Sequence, residues 1–87
     1  MEPEEMDLVE LVENITVEPS WRIEKEGKEI PATLNAGERG MVIHRSEGTP
    51  TLFDVEFLDP ATSEPCVLAT LRAEQVRVVE RDTLGSE

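Results

Sequence analysis

Apolar and polar residues alternate most regularly in Thr51-Leu52-Phe53-Asp54-Val55-Glu56-Phe57-Leu58, with Phe53, Val55 and Phe57 on one side and Asp54 and Glu56 on the other. A period of two over this length predicts a half-buried strand. The stretches 41–45, which opens on the apolar run Met41-Val42-Ile43, 66–71 and 76–79 read as three more strands. A polar loop with turn residues at both ends, 59–65, joins two of them, and 72–75 reads as a single helical turn before the last strand. Residues 7–15 are ambiguous. Leu8, Leu11, Val12 and Ile15 fit a helical stripe. Val9, Leu11 and Val17 against Leu8 and Val12 fit a strand buried on both faces. An isolated helix this short is weak in water, and the rest of the chain is strand-like, so a strand is expected here too.

Glycines punctuate the pattern at one place above all, Leu34-Asn35-Ala36-Gly37-Glu38-Arg39-Gly40-Met41-Val42-Ile43. Gly37 stands where a type II turn from Asn35 to Glu38 needs a positive φ. Gly40 opens the next apolar run, where a missing side chain permits a bulge, a sharp bend or the close approach of another backbone. The stretch has no lysine, hydroxyl or following helix with which to cradle a phosphate, so a nucleotide loop is excluded. Its glycines are expected to be structural.

Five short strands and one helical turn predict an all-β fold, a small, partly open, five-stranded SH3-like barrel. The expected organisation is a disordered acidic lead-in over 1–6, a single barrel domain over 7–80 and a flexible tail over 81–87. Residues 16–33 form an irregular insertion within the barrel. Pro19 and Pro31 bound it, and Trp21-Arg22-Ile23-Glu24-Lys25 and Lys28-Glu29-Ile30 flank Glu26-Gly27 as a short hairpin or an excursion off the barrel.

Composition narrows the function classes. Eighty-seven residues make one domain at most, with a thin core, and Trp21, Phe53 and Phe57 are its aromatics. The formal net charge is -12, and seven carboxylates precede the first basic residue, Arg22. Nucleic-acid affinity rests on lysine and arginine neutralising phosphates, so a DNA or RNA ligand is disfavoured, as is an anionic membrane. A protein partner with a basic surface suits this field better. The single cysteine, Cys66, cannot close an internal disulfide, and no segment has membrane-spanning length, so a cytoplasmic location is expected.

The order of pieces is more specific than any one of them. Asp7-Leu8-Val9-Glu10-Leu11, the glycine stretch, Phe53-Asp54-Val55-Glu56-Phe57, Ala69-Thr70-Leu71 and Glu74-Gln75-Val76-Arg77 follow in sequence. Together they resemble a family of small stand-alone bacterial proteins of unknown function, whose members carry a comparable Leu-x-x-Gly-x-x-Gly-x-Val turn and a Val-Glu-Phe strand. The resemblance spans roughly 7–79, with 16–33 longer than the family's connection. That family is similar to SH3-like barrels, among them translation-factor modules and the β-subunit barrel of nitrile hydratase. Some members look like partners of neighbouring toxin-like proteins, which implies an antitoxin or immunity role. The family supplies no catalytic residues. Its ribosome-associated relatives use basic loops, and this chain departs from them in charge.

No constellation of reactive side chains emerges. His44 is the one histidine, and with Cys66 it makes too few ligands for a zinc site. Cys66 at a strand start reads as a small buried hydrophobe. Asp54 and Glu56 are explained as the wet face of their strand rather than as an acid/base pair. Trp21 and Arg22 are the candidate partner-binding residues, because tryptophan and arginine are enriched at binding hot spots. No catalytic residue, metal or cofactor is expected. The expected function is a non-enzymatic protein-binding module, an antitoxin or immunity protein, with an accessory subunit of a larger enzyme or an RNA-associated barrel as alternatives.

Overall fold

The computed structural model describes residues 2–23 and 30–81. Its strands are β1 (Leu8–Leu11), β2 (Ile15–Thr16), β3 (Thr33–Leu34), β4 (Arg39–Ser46), β5 (Leu52–Leu58), β6 (Pro65–Arg72) and β7 (Val76–Glu80). The five longer ones form an antiparallel sheet in the order β6-β5-β4-β1-β7, and β2 pairs with β3 in a small sheet of its own. A 3-10 turn, Ala73–Gln75, precedes β7. No ladder joins β6 to β7, so the barrel is not closed. The expected all-β, partly open, five-stranded SH3-like architecture is the observed one.

Alternation decides which side of each strand faces in. In β5, Phe53, Val55 and Phe57 are buried while Asp54 and Glu56 lie at the surface. Val9 and Leu11 of β1, Val42 of β4, Val67, Ala69 and Leu71 of β6 and Val76 of β7 complete the same interior. Each large apolar side chain so buried contributes about 1.5–3 kcal/mol relative to exposure. Leu34 of β3, Ile15 of β2 and Val17 roof one end of it.

The glycine stretch turns the chain into β4 as its residues dictate. Gly37 has φ +97°, and the Glu38 N–H donates to the Asn35 carbonyl at 3.1 Å, closing the turn. The turn is fastened to the end of β1 by Leu11 N–H to the Glu38 carbonyl (2.9 Å) and Gly37 N–H to the Leu11 carbonyl (2.8 Å). At Gly40, of the three possibilities a glycine offered, close approach holds. A Cβ there would lie 2.7 Å from the Glu56 carbonyl oxygen and 2.7 Å from Val55 Cγ1. The barrel curls over this spot.

Four expectations need correction. The expected first strand, 7–15, is two strands: β1 ends at Leu11, the chain bends, and β2 starts at Ile15. Val12 is exposed, so this segment is not buried on both faces. The acidic lead-in is packed over Glu2 to Met6, with Pro3 buried and the Met6 N–H on the Val42 carbonyl at 2.6 Å. Its carboxylates are held by arginines distant in sequence: Arg45 contacts Glu2 at 2.8 Å, and Arg81 contacts Glu4 at 3.6 Å. The tail is likewise anchored at Arg81, which pairs with buried Asp7, while 82–87 lie outside the described residues. The insertion is not wholly irregular. Its ends pair as β2 and β3, Pro19–Trp21 forms a 3-10 turn, and Arg22 bridges to Val67 on β6. The expected turn at Glu26-Gly27 lies outside the described residues.

Candidate functional site

The sequence-expected contact residues sit beside the outer edge of β6. The 3-10 turn at Pro19 directs Trp21 inward, where it is half-buried and packs against the core. Arg22 is exposed, its backbone bridged to Val67, and the Ile23 N–H donates to the Cys66 carbonyl at 3.0 Å. The two neighbours in sequence are thus divided in role: Trp21 caps the interior, Arg22 faces solvent.

The other candidate residues fall apart from one another. Cys66 is buried, its thiol donating to the Phe57 carbonyl at 3.4 Å. His44 is exposed, 3.6 Å from a Glu5 carboxylate oxygen. Asp54 accepts from the Thr70 hydroxyl at 2.9 Å across the β5–β6 ladder, so it serves the sheet surface. Among the described residues, no group of three or more His, Cys, Asp and Glu side chains is placed to hold a metal ion.

Ionic contacts absorb most of the described arginines. Glu10 lies between Arg39 and Arg77 on the two strands flanking β1, at 3.2 Å and 2.6 Å. Hydrogen bonding from Arg77, then from Arg39, holds the Glu10 carboxyl below its ordinary value. Arg45, Arg72 and Arg81 are paired with carboxylates as well. The positive charge of these strands is turned to internal partners, and the surplus carboxylates give the outward field its sign.

A groove of ≈ 590 Å³ opens between the strand that returns from the insertion and the β5–β6 loop. One wall is the unbroken run Ile30, Pro31, Ala32, Thr33, Leu34 and Asn35. Leu58, Asp59 and Pro60 line the groove from the β5–β6 loop, and Glu38 and Cys66 complete the lining. The loop wall is locally braced. Asp59 N–H donates to the Glu64 carbonyl at 2.8 Å, and the Asp59 carboxylate accepts from the Ala61 N–H at 2.8 Å. Glu38 is braced in turn, accepting the Asn35 N–H at 2.7 Å. A mixed polar and apolar lining that includes the carboxylates of Glu38 and Asp59 suits a ligand carrying both apolar and cationic groups.

Sequence reasoning did not find this groove, because its walls lie more than twenty positions apart in the chain. One signal was available. Leu58 continues the Asp54, Glu56 alternation and so occupies a wet-face position with an apolar side chain, 49% exposed. Comparison with family models, with curated proteins and with solved structures finds no match.

Proposed function

We propose that this chain is a non-enzymatic protein-binding module whose partner presents a basic surface. The observation that carries the reading is the groove between 30–35 and 58–60, whose lining mixes apolar residues with the carboxylates of Glu38 and Asp59. The net charge of -12 supports it, since complementary fields accelerate association and disfavour anionic partners. Exposed Arg22, beside half-buried Trp21, is a second candidate contact point. The more specific form, an antitoxin or immunity protein covering the basic face of a toxin encoded beside it, rests on the family resemblance of the sequence.

The test is co-expression with the product of the adjacent gene, followed by gel filtration and calorimetry across a salt series. A discrete complex that weakens as salt rises is expected, with Arg22→Glu altering its affinity. Absence of a complex at about 100 μM protein and low salt, a weaker limit than most specific interfaces, removes the reading. Tighter binding to short RNA than to the protein would replace it with the RNA-associated alternative.

A further inference from the structure

Resting on the protein-binding reading, we infer that the groove takes an extended segment of the partner as an added strand on the free edge of β3, one whose side chains alternate between basic and apolar.

Three observations converge on this mode. First, β3 has a strand on one side only, since the small sheet contains just β2 and β3 among the described residues. Second, the register fixes which backbone groups point outward. Ile15 pairs with Leu34 and Thr16 with Thr33, and the Val17 N–H donates to the Ala32 carbonyl at 2.8 Å. Hydrogen-bonded and non-hydrogen-bonded pairs alternate in an antiparallel ladder. Ala32 and Leu34 therefore bond toward β2, and the Thr33 N–H and C=O turn to the opposite edge. Third, every residue from Ile30 to Asn35 lines the groove. The two residues of β3, Thr33 and Leu34, are among them, so the edge of this strand borders the groove.

Backbone bonding of this kind gives affinity, and pockets for alternate side chains give selectivity. Here Leu58 and Pro60 stand across the groove as the apolar contacts, and Glu38 and Asp59 favour lysine or arginine at the intervening positions. An acidic segment would meet both carboxylates and be rejected.

The experiment uses the full chain and a fluorescein-labelled peptide of alternating Lys and Val, with an alternating Glu and Val peptide as comparison. Anisotropy is expected to show saturable binding of the basic peptide and none of the acidic one. Leu58→Lys is expected to weaken it at least about tenfold, the scale of an interface anchor. Val12→Lys adds the same charge at an exposed apolar position outside the groove and is expected to change affinity less than about twofold, the scale of a screened surface charge. Amide exchange should slow at Thr33 on binding. Equal weakening by the two lysine variants, unchanged exchange at Thr33, or no binding at about 1 mM peptide overturns the inference. The two levels separate cleanly. If the natural protein partner binds Leu58→Lys as tightly as it binds the unaltered chain, the groove falls as the docking site and the protein-binding reading stands on the complex itself and the net charge. If the peptide binds as described and no protein partner does, the reverse holds.

Discussion

Arg81 closes on Asp7 from the far end of the chain, with Nη2 at 2.9 Å and Nε at 3.2 Å from the same carboxylate oxygen. Asp7 is 1% exposed, and that oxygen also accepts the Glu4 N–H at 2.8 Å. The start of β1, the acidic lead-in and the end of β7 are thereby joined at one point.

Removing either partner of this clasp is expected to destabilise the fold. Asp7→Ala forfeits three hydrogen bonds to a charged acceptor, and about 2–3 kcal/mol is expected from urea unfolding. Arg81→Ala is expected to cost about 1–3 kcal/mol, because Asp7 remains buried while the lost arginine was partly solvated. The double variant should cost less than the sum, a coupling that a double-mutant cycle reads directly.

Glu10 sets a pH dependence of definite sign. Its folded carboxyl titrates below the ordinary value of 4.5, with Arg77 the larger cause and Arg39 the smaller. A depressed folded value favours the ionised folded form, so the contribution is complete above the unfolded value. It is lost as pH falls from about 4.5 through the lowered folded value. Glu10→Gln should flatten the acid limb of the stability curve while leaving the neutral limb's slope unchanged. A carboxyl titration followed by NMR should place Glu10 below its ordinary value of 4.5.

Gly40→Ala is expected to destabilise by about 1–3 kcal/mol in thermal unfolding, the usual range for overpacking. The new methyl would meet the Glu56 carbonyl oxygen at 2.7 Å, and that backbone cannot move without disturbing the β4–β5 ladder. Phe57 Cδ1 at 3.0 Å closes the remaining side.

Gly37 should fail for a different reason. Nothing lies within 4 Å of a Cβ built there, so volume is not the issue. With φ at +97°, Gly37→Val carries the left-handed penalty of a β-branched residue and should cost about 1–2 kcal/mol. Gly37→Asn should recover part of that loss, since asparagine tolerates positive φ better. Comparison of the two by denaturant unfolding separates backbone strain from crowding.

Much of the architecture follows from local rules written in the chain. The Phe53, Val55, Phe57 alternation fixes which face of β5 is buried, because successive side chains of a strand point to opposite sides. The turn at Gly37 and the helical turn before β7 follow from residue type alone. The expected disorder of residues 2–6 failed because charge density was weighed without the arginines that meet it. Glu2 and Arg45 are 43 positions apart, and Asp7 and Arg81 are 74.

The split of 7–15 into β1 and β2 and the pairing of β2 with β3 were not legible in the sequence, which by itself determined the strands from β4 onward, the inward face of β5 and the two structural glycine positions. These depend on φ preferences and a period of two, which act over a few residues. Only the tertiary structure decided the clasp of Asp7 by Arg81, the bracing of Glu10 between two strands, and the groove between β3 and the β5–β6 loop. Each of these needs groups brought together by loop closure, and nothing local in the chain encodes which distant residues will meet. The Thr33 edge is the clearest case: its residues are ordinary, and its backbone groups face outward only because of the register with β2.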